Sequence, residues 1–588
     1  MCGIVGLMTR DGAAPPGALL RAMEPAVAHR GPDGEGHYRS GDVGMMQARL
    51  AIIDLATGDQ PLYEPGGAAL IANAEIYNYV ELRAELPDIA FSTQSDCELP
   101  LHLYRRHGLD FTQHLRGMYA IALHDPGTGR LVLARDPFGI KPLYYAETAQ
   151  YFAFASEPRA LIAAGIVSPV LAKPVRDELL QMQFSTGRET IFAGINRVLP
   201  GETVVVRQGR IVERRRRAAL PEGGPLVLDE EEALARLDAV LLDSVRMHQR
   251  SDVPFGMFLS GGVDSTAVLV MMARLAERPV RAFTVGFGDD GGADERPIAR
   301  AVAEAVGAEH VEVDFDEDDF WRLLPKIART VDDPAADYAM LPTYKLAEAA
   351  HQAGLKVILS GEGGDELFAG YGRYRSVMRP WWIGGRMPRV RGVLDGLGLL
   401  REEITGWRDG IAAAEARSAA SGRGRLQVAQ AVDCAAWLPN DLLVKLDRCL
   451  MAHATEGRTP FLDPEVASLA FRLPDELKIK RGLGKYLLRQ WLAQHLPIAA
   501  PFARKRGFTV PVTRWIARRA GEVGRLVATS EGVRELCDPV AVQRVFTQAA
   551  QKRAGRAAWG LLFYALWHRC HIEGKELPAD AREALAEV

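Results

Sequence analysis

Residues equipped for chemistry stand in three places along the chain. Cys2 follows Met1. A small second residue permits removal of Met1, which would leave the Cys2 thiol beside a free α-amine. An unperturbed α-amine titrates at about 7.7–8.0, so part of it is neutral near pH 7 and able to act as base. Nucleophile and base then share one residue, and no histidine partner is needed. The second place is Ser260-Gly261-Gly262-Val263-Asp264-Ser265, after a short apolar run and before a helical pattern over residues 266–277. Glycines let the backbone close around an oxyanion, and the N–H groups and dipole of a helix start favour phosphate there. Ser260 and Ser265 add hydroxyl donors, while Asp264 could hold magnesium against phosphate oxygens. The third place is Ser360-Gly361-Glu362-Gly363-Gly364-Asp365-Glu366, a glycine-rich turn with three carboxylates. Asp264 and Asp365 could share the magnesium ion, and Glu362 could position an acceptor.

Those residues need elements to hold them, and the 588-residue chain is long enough for two or three domains. Its apolar fraction of 48% and charged fraction of 25% are ordinary for a globular protein. A net charge of −4 gives no electrostatic case for nucleic acid or an anionic membrane. Six scattered cysteines without a Cys-x-x-Cys pair indicate neither a zinc site nor a disulfide framework. No signal peptide or membrane-length apolar run is visible, so a cytoplasmic protein is expected. The kinase-type loop Gly-x4-Gly-Lys-Ser/Thr is missing from the sequence.

Residues 1–208 alternate short apolar strands with turns, at 120–124, 130–135, 143–145, 151–155 and 202–207, with few helices expected. Residues 209–229 contain the run Arg214–Arg217 and a Pro/Gly cluster, and read as a solvated linker. An acidic start at Asp229 opens a helix to about residue 250. From there strand, loop and helix repeat, with strands at 281–287, 310–313 and 355–359 and helices at 295–306 and 339–352. This alternation predicts a parallel sheet with helices on both faces and ligands beyond the strand C-termini. Residues 230–588 form the second expected domain.

The sequence strings add a resemblance. His29-Arg30-Gly31-Pro32-Asp33-Gly34, Arg49 to Asp54, Asn73-Ala74-Glu75, Ser95-Asp96-Cys97-Glu98 and Arg135-Asp136-Pro137-Phe138-Gly139 together resemble class II glutamine amidotransferase domains. That likeness implies an αββα N-terminal-nucleophile sandwich with Cys2 as nucleophile. It implies that Arg49, Ile53, Glu75 and Asp96 hold glutamine, Arg49 clamping the α-carboxylate and Asp96 pairing the α-ammonium. Asn73 and the backbone N–H of Ala74 would stabilise the oxyanion. The family usually has glycine at position 74; if φ > 0 were required there, Ala74 would cost on the order of 1 kcal/mol. His29 and Arg30 read as structural or pocket-lining, and Cys97 as a bystander.

Ser-Gly-Gly-x-Asp-Ser resembles the pyrophosphate loop of ATP pyrophosphatases. With residues 360–368, 441–463, 484–489 and 505–508, the match extends to glutamine-hydrolysing asparagine synthetases. The resemblance implies ATP split to AMP and pyrophosphate, with Leu259, Ser260, Gly261, Gly262, Asp264, Ser265, Val285, Ser360 and Gly361 around the nucleotide. Asp264 and Asp365 would hold Mg²⁺, Glu362 would face a β-aspartyl-AMP intermediate, and Lys485 would offset charge on phosphorus. The implied partners are glutamine, aspartate and ATP, with a homodimer as an open option. The alternatives are the same chemistry on another carboxylate (a polysaccharide, a peptide or a small acid) and a non-catalytic ligand sensor. Residues 376–430, rich in Arg, Gly and Trp, match poorly.

Overall fold

The computed structural model describes residues 2–288, 294–503 and 510–586. Two six-stranded sheets are stacked in the N-terminal half. In one, Cys2–Thr9 lies antiparallel between Val43–Arg49 and Tyr151–Ala155. In the other, Ala69–Ile76 pairs antiparallel with Gly117–Asp125, which pairs in turn with Arg130–Arg135. Side chains alternate across each strand. Ile4, Met45, Ile71 and Ala122 therefore meet between the sheets. Val5, Leu7 and Met46 turn outward toward the helix Gly17–Val27, and Leu70, Ala72 and Leu123 toward Leu99–His107. The layers are αββα, as the strand-rich sequence predicts, with three more substantial helices than that pattern suggested: Gly17–Val27, Leu99–His107 and Lys173–Met182. The period of two has a chemical consequence. Cys2 shares the parity of Ile4, Gln47 that of Met45 and Asn73 that of Ile71, so all three point into the space between the sheets.

The expected linker is corrected at its start. Arg210–Arg216 is a strand antiparallel to Glu202–Arg207, at the edge of the second sheet. Its arginines are a solvated edge face; Arg214 still pairs with Glu202 at 3.1 Å and lies 5.2 Å over Tyr145. An edge strand carrying charge reads in sequence like a linker, because neither buries a regular apolar stripe.

The second half is organised by a parallel five-stranded sheet in the order Glu309–Asp314, Arg281–Gly286, Phe255–Phe258, Val357–Leu359, Glu456–Arg458. The chain starts in the middle, builds outward to one side, then crosses to the other. The reversal falls between Phe255–Phe258 and Val357–Leu359, the switch point where such sheets bind ligands. Both faces are covered: Met257, Ala282 and Leu359 belong to one core, Phe283, Val285 and Ile358 to the other. Burial on both faces explains why these strands read as continuous apolar runs. The helix Glu230–His248 begins where the acidic run predicts, with the Asp229 side chain accepting from the Glu232 N–H at 2.8 Å. The string at 505–508 lies outside the described residues. Among the described residues no helix is long and apolar enough to cross a membrane.

Candidate active sites

Cys2 opens its strand with the thiol between the sheets. Its Sγ accepts from Gln47 Nε2 at 2.7 Å, its N–H donates to Asn73 Oδ1 at 3.1 Å, and its carbonyl accepts from Arg30 Nε at 3.2 Å. With Oδ1 engaged, the Asn73 Nδ2 donor is buried and has no hydrogen-bond partner. A buried donor left unmade costs about 1–3 kcal/mol. Burial pushes the Cys2 thiol up, with the Leu50 N–H, Arg49 and Gln47 among the groups pulling it back. Ala74 sits in extended strand and is not among the positive-φ residues, so the missing glycine carries no strain here.

The proposed glutamine clamp is already engaged. Arg49 stands opposite Cys2 in the ladder and donates to the carbonyls of Asp54 at 2.6 Å and Ile53 at 3.4 Å, and to Asp59 Oδ1 at 2.6 Å. Asp59 is a surface carboxylate, its side chain 81% exposed. Ile53 thus contributes a carbonyl that orients the arginine. Asp96 is buried, accepts from the Ile76 N–H at 2.7 Å, and is pushed up by that burial. Cys97 is buried beside it with its thiol pushed well up by desolvation, which suits a bystander.

Glu75 makes its bond at the edge of the pocket. Its Oε2 accepts from Arg458 Nη2 at 2.8 Å, across the boundary between the halves. Arg458 is fully buried; its Nε donates to Glu456 at 2.5 Å and its Nη1 to the carbonyls of His248 and Arg250 at 2.8 and 2.6 Å. Burial and the Glu456 carboxylate push Glu75 well up. Period two places Glu75 on the same face as Asn73, but at the strand end that meets the second half.

A second buried array crosses the same boundary. Arg30 makes two 2.8 Å bonds to the Asp447 carboxylate and one of 2.8 Å to Glu157. Arg448 reaches Asp332 at 3.0 Å and Glu157 at 3.4 Å. Burial would raise Glu157, yet Arg159, Arg448 and His29 hold it well below the usual carboxylate range. His29, 3.2 Å from Glu157, belongs to this array. Lys141 is buried in the same region, where desolvation lowers its pKa despite the fields of Glu456 and Asp447.

The switch point of the parallel sheet gathers the remaining residues. Leu259 and Val285 are buried at strand ends, the Leu259 N–H donating to the Phe283 carbonyl at 2.8 Å. The Ser260 and Ser265 hydroxyls lie 3.0 Å apart, and the Gly262 N–H donates to Ser260 Oγ at 3.3 Å. Both hydroxyls therefore shape the loop as it stands. Gly262 caps the helix Val263–Leu275. Across the crevice the Ser360 N–H donates to the Arg458 carbonyl at 2.8 Å, tying this rim to the Glu75 array. A Cβ on Gly364 would lie 2.6 Å from Asp264 Cγ, and one on Gly370 1.9 Å from Asp365 Oδ1. Only glycine lets the loops approach this closely.

Lys485 completes the junction. Its backbone is left-handed at φ 58°, at the start of the helix Tyr486–His495, and its side chain is 3% exposed. Such a conformation costs a non-glycine residue about 1–3 kcal/mol and concentrates at functional sites. Lys485 Nζ pairs with Asp264 and, at 2.6 Å, with Asp365. Burial alone would lower this ammonium, but the two carboxylates outweigh it and raise it. Two carboxylates converging on one side chain at the strand ends are the hard oxygen donors that Mg²⁺ takes. Glu362 Oε1 lies 3.2 Å from Lys445 Nζ, a contact that sequence reading missed because Lys445 sits 83 residues downstream in a helix read only as a family string. Glu366 is buried, accepts from the Tyr371 hydroxyl at 2.8 Å, and is pushed up to about 8 by burial.

A buried Cys2 thiol beside Asn73, joined through buried ion pairs to a glycine-lined rim at the switch point of a parallel sheet, points to the class: a glutamine amidotransferase coupled to a nucleotide-handling half. Comparison with known proteins gives the family. Residues 1–216 match the glutamine amidotransferase domain model, and residues 236–569 match that of asparagine synthase. Glutamine-hydrolyzing asparagine synthetase 1 of Bacillus subtilis (strain 168) is 33% identical over 635 residues, covering 100% of both chains. Glutamine-hydrolyzing asparagine synthetase 2 of the same organism is 28% identical over 84% of this chain and 70% of its own. Amidase chyE of Penicillium rubens is 32% identical over 64% of this chain and 60% of its own. The chain belongs to the asparagine synthase family and is a glutamine-dependent carbon–nitrogen ligase.

Proposed function

We propose that the protein makes asparagine from aspartate, ATP and glutamine. The observation that carries this reading is the closure of the 260–265 and 360–365 loops on Lys485 at the switch point. Cys2 attacks the glutamine amide as a thiolate, with its own α-amine, freed by loss of Met1, taking the proton. The tetrahedral adduct collapses to a thioester as that proton passes to the departing ammonia, and water then hydrolyses the thioester to glutamate and the free thiol. Asn73 Nδ2 and the Ala74 N–H meet the oxyanion, in a pocket where dipoles are already oriented. Arg49 and Asp96 hold the α-carboxylate and α-ammonium; Arg49 exchanges exposed Asp59 for the substrate.

In the second half, Ser260, Gly261, Gly262 and Ser265 bind phosphate oxygens through N–H and hydroxyl groups, while Leu259, Val285, Ser360 and Gly361 frame the adenosine. Asp264 and Asp365 would hold Mg²⁺, which when bound offsets triphosphate charge. The β-carboxylate of aspartate attacks the α-phosphorus, pyrophosphate leaves, and Lys485 stabilises the charge that develops. Ammonia then displaces AMP beside Glu362. The buried seam of Arg30, Glu75, Lys141 and Arg458 keeps water out of the ground between the centres, which suits a nucleophile that protonation would disable. The test is mass-spectrometric product analysis with glutamine, ATP, Mg²⁺ and a panel of carboxylic acids. Asparagine, AMP and pyrophosphate in equal amounts are expected; amidation of another acid in preference to aspartate would overturn the acceptor assignment.

A further inference from the structure

The acceptor side of the second centre extends past Glu362 to side chains not yet given a task. Lys445 Nζ lies 3.2 Å from Glu362 Oε1 and 3.2 Å from Asp337 Oδ2. Asp441, one helical turn before Lys445, is 5% exposed. One of its oxygens accepts from Trp437 Nε1; the other, Oδ1, is buried and accepts no hydrogen bond. The segment that presents Trp437 and Asp441, Asp433–Leu442, is π-helical with Pro439 inside it. Such stretches are rare and recur at functional sites.

The charge balance of this pocket is unequal. Asp337, Asp441 and Glu362 share Lys445. The nearby arginines are committed elsewhere: Arg373 pairs with Asp433 at 2.8 Å, and Arg389 is bound to the same carboxylate. Burial, followed by the field of Asp337, pushes the Asp441 carboxyl up to about 8, with Lys445 pulling the other way. A buried carboxylate oxygen left without a donor is costly, and a cation brought by the ligand would relieve it. In an adenylating ligase the reacting carboxylate must lie at the phosphate end, by Lys485. What remains of the acceptor then faces Lys445, its ion-pair partner Asp337 and the open Asp441 oxygen one helical turn away. A primary ammonium next to a second carboxylate, the head of an α-amino acid, complements that arrangement.

We propose that Asp337 and Asp441 form a subsite for the α-ammonium of an amino-acid acceptor, with Lys445 taking its α-carboxylate. The assignment rests on the adenylating reading above but not on aspartate being the acid. ATP–pyrophosphate exchange by the full-length enzyme tests it with L-aspartate, N-acetyl-L-aspartate, succinate and a set of other amino and non-amino acids. The best acceptor is expected to bear a free ammonium, and its advantage in kcat/KM over its N-acetyl form should narrow about tenfold or more in Asp441→Asn. Asp441→Glu should restore part of that advantage. Equal use of acylated and free acids by the wild type, or an undiminished preference in Asp441→Asn, would overturn the subsite. If the Asn variant turns over no acid, calorimetric binding of the preferred acid decides: wild-type affinity overturns the assignment and its loss supports it. Exchange with an amino acid other than aspartate would sink the asparagine reading while leaving this subsite standing.

Discussion

The two centres meet negative charge by different means. Toward the oxyanion that would form at Cys2 the tools are neutral: an amide donor, a backbone N–H and the Gln47 side chain, with Arg49 and Asp96 left for the ends of the substrate. Around Lys485 the tools are ions: Lys485 between Asp264 and Asp365, and Lys445 between Glu362 and Asp337. The contrast follows from what each centre must hold. An oxyanion on an amide carbon exists only briefly, and dipoles aimed beforehand suffice. A triphosphate carries standing charge, which needs countercharge and brings heavy desolvation with it. The first centre should therefore lose one function when altered, the second everything downstream of ATP.

Lys485→Met breaks the contrast most severely, because it leaves the half-buried Asp264 and Asp365 facing each other without the cation between them. AMP formation with glutamine and with ammonia should both fall by about a thousandfold or more, read as AMP released. Ammonia-driven turnover near wild type would show that the second centre does not work through this lysine. Cys2→Ala should abolish glutamine-driven synthesis and leave ammonia-driven synthesis, since attack on the adenylate needs only the second centre; equal loss of both would deny independent centres. Asn73→Ala sharpens the neutral side, lowering glutamine hydrolysis by about 10²–10³ in kcat. An effect no larger than on ammonia-driven synthesis would remove Asn73 from the oxyanion pocket.

The seam between the centres is tested by Arg458→Leu. It leaves Glu75 and Glu456 buried without their shared cation, and should cost about 3–5 kcal/mol in denaturant unfolding. A loss within experimental scatter would mean the array is solvated. The smallest effect concerns His248, packed against Tyr77 with ring centroids 4.0 Å apart and the rings tilted by 37°. Burial lowers its pKa to about 3. Unfolded, the ring takes a proton near pH 6.5 that the native ring refuses, so its contribution is present above that pH and is lost as pH falls toward 3. The slope is at most about 1.4 kcal/mol per unit. His248→Gln should flatten the stability profile between about pH 6.5 and 4, and an unchanged slope would assign that dependence elsewhere.

Local chemistry was the legible part. The glycine loop after Phe255–Phe258 and the turn after Val357–Leu359 each occupy a handful of consecutive residues, and their composition pointed to phosphate in the first and to a ligand with its carboxylate neighbours in the second. The parallel sheet followed from apolar runs separated by helical periods. Edge strand Arg210–Arg216 was unreadable because its pattern lacks a buried stripe. Lys445, Arg458 and Asp337 were missed for another reason: their partners lie 83, 383 and 108 residues away in sequence. No local pattern encodes such a pairing.

The amino-acid sequence on its own determined the two-part architecture, and it placed Cys2 at the head of the first strand and a glycine turn after each of two parallel strands. These properties reside in backbone freedom and side-chain type within a few neighbouring positions. Only the tertiary structure decided that Glu75 serves the seam through Arg458, that Arg49 is held by Asp59 and backbone carbonyls, and that Asp441 keeps one oxygen buried without a partner. Each depends on which charges are brought together after the water around them is gone, and that is settled when distant segments pack.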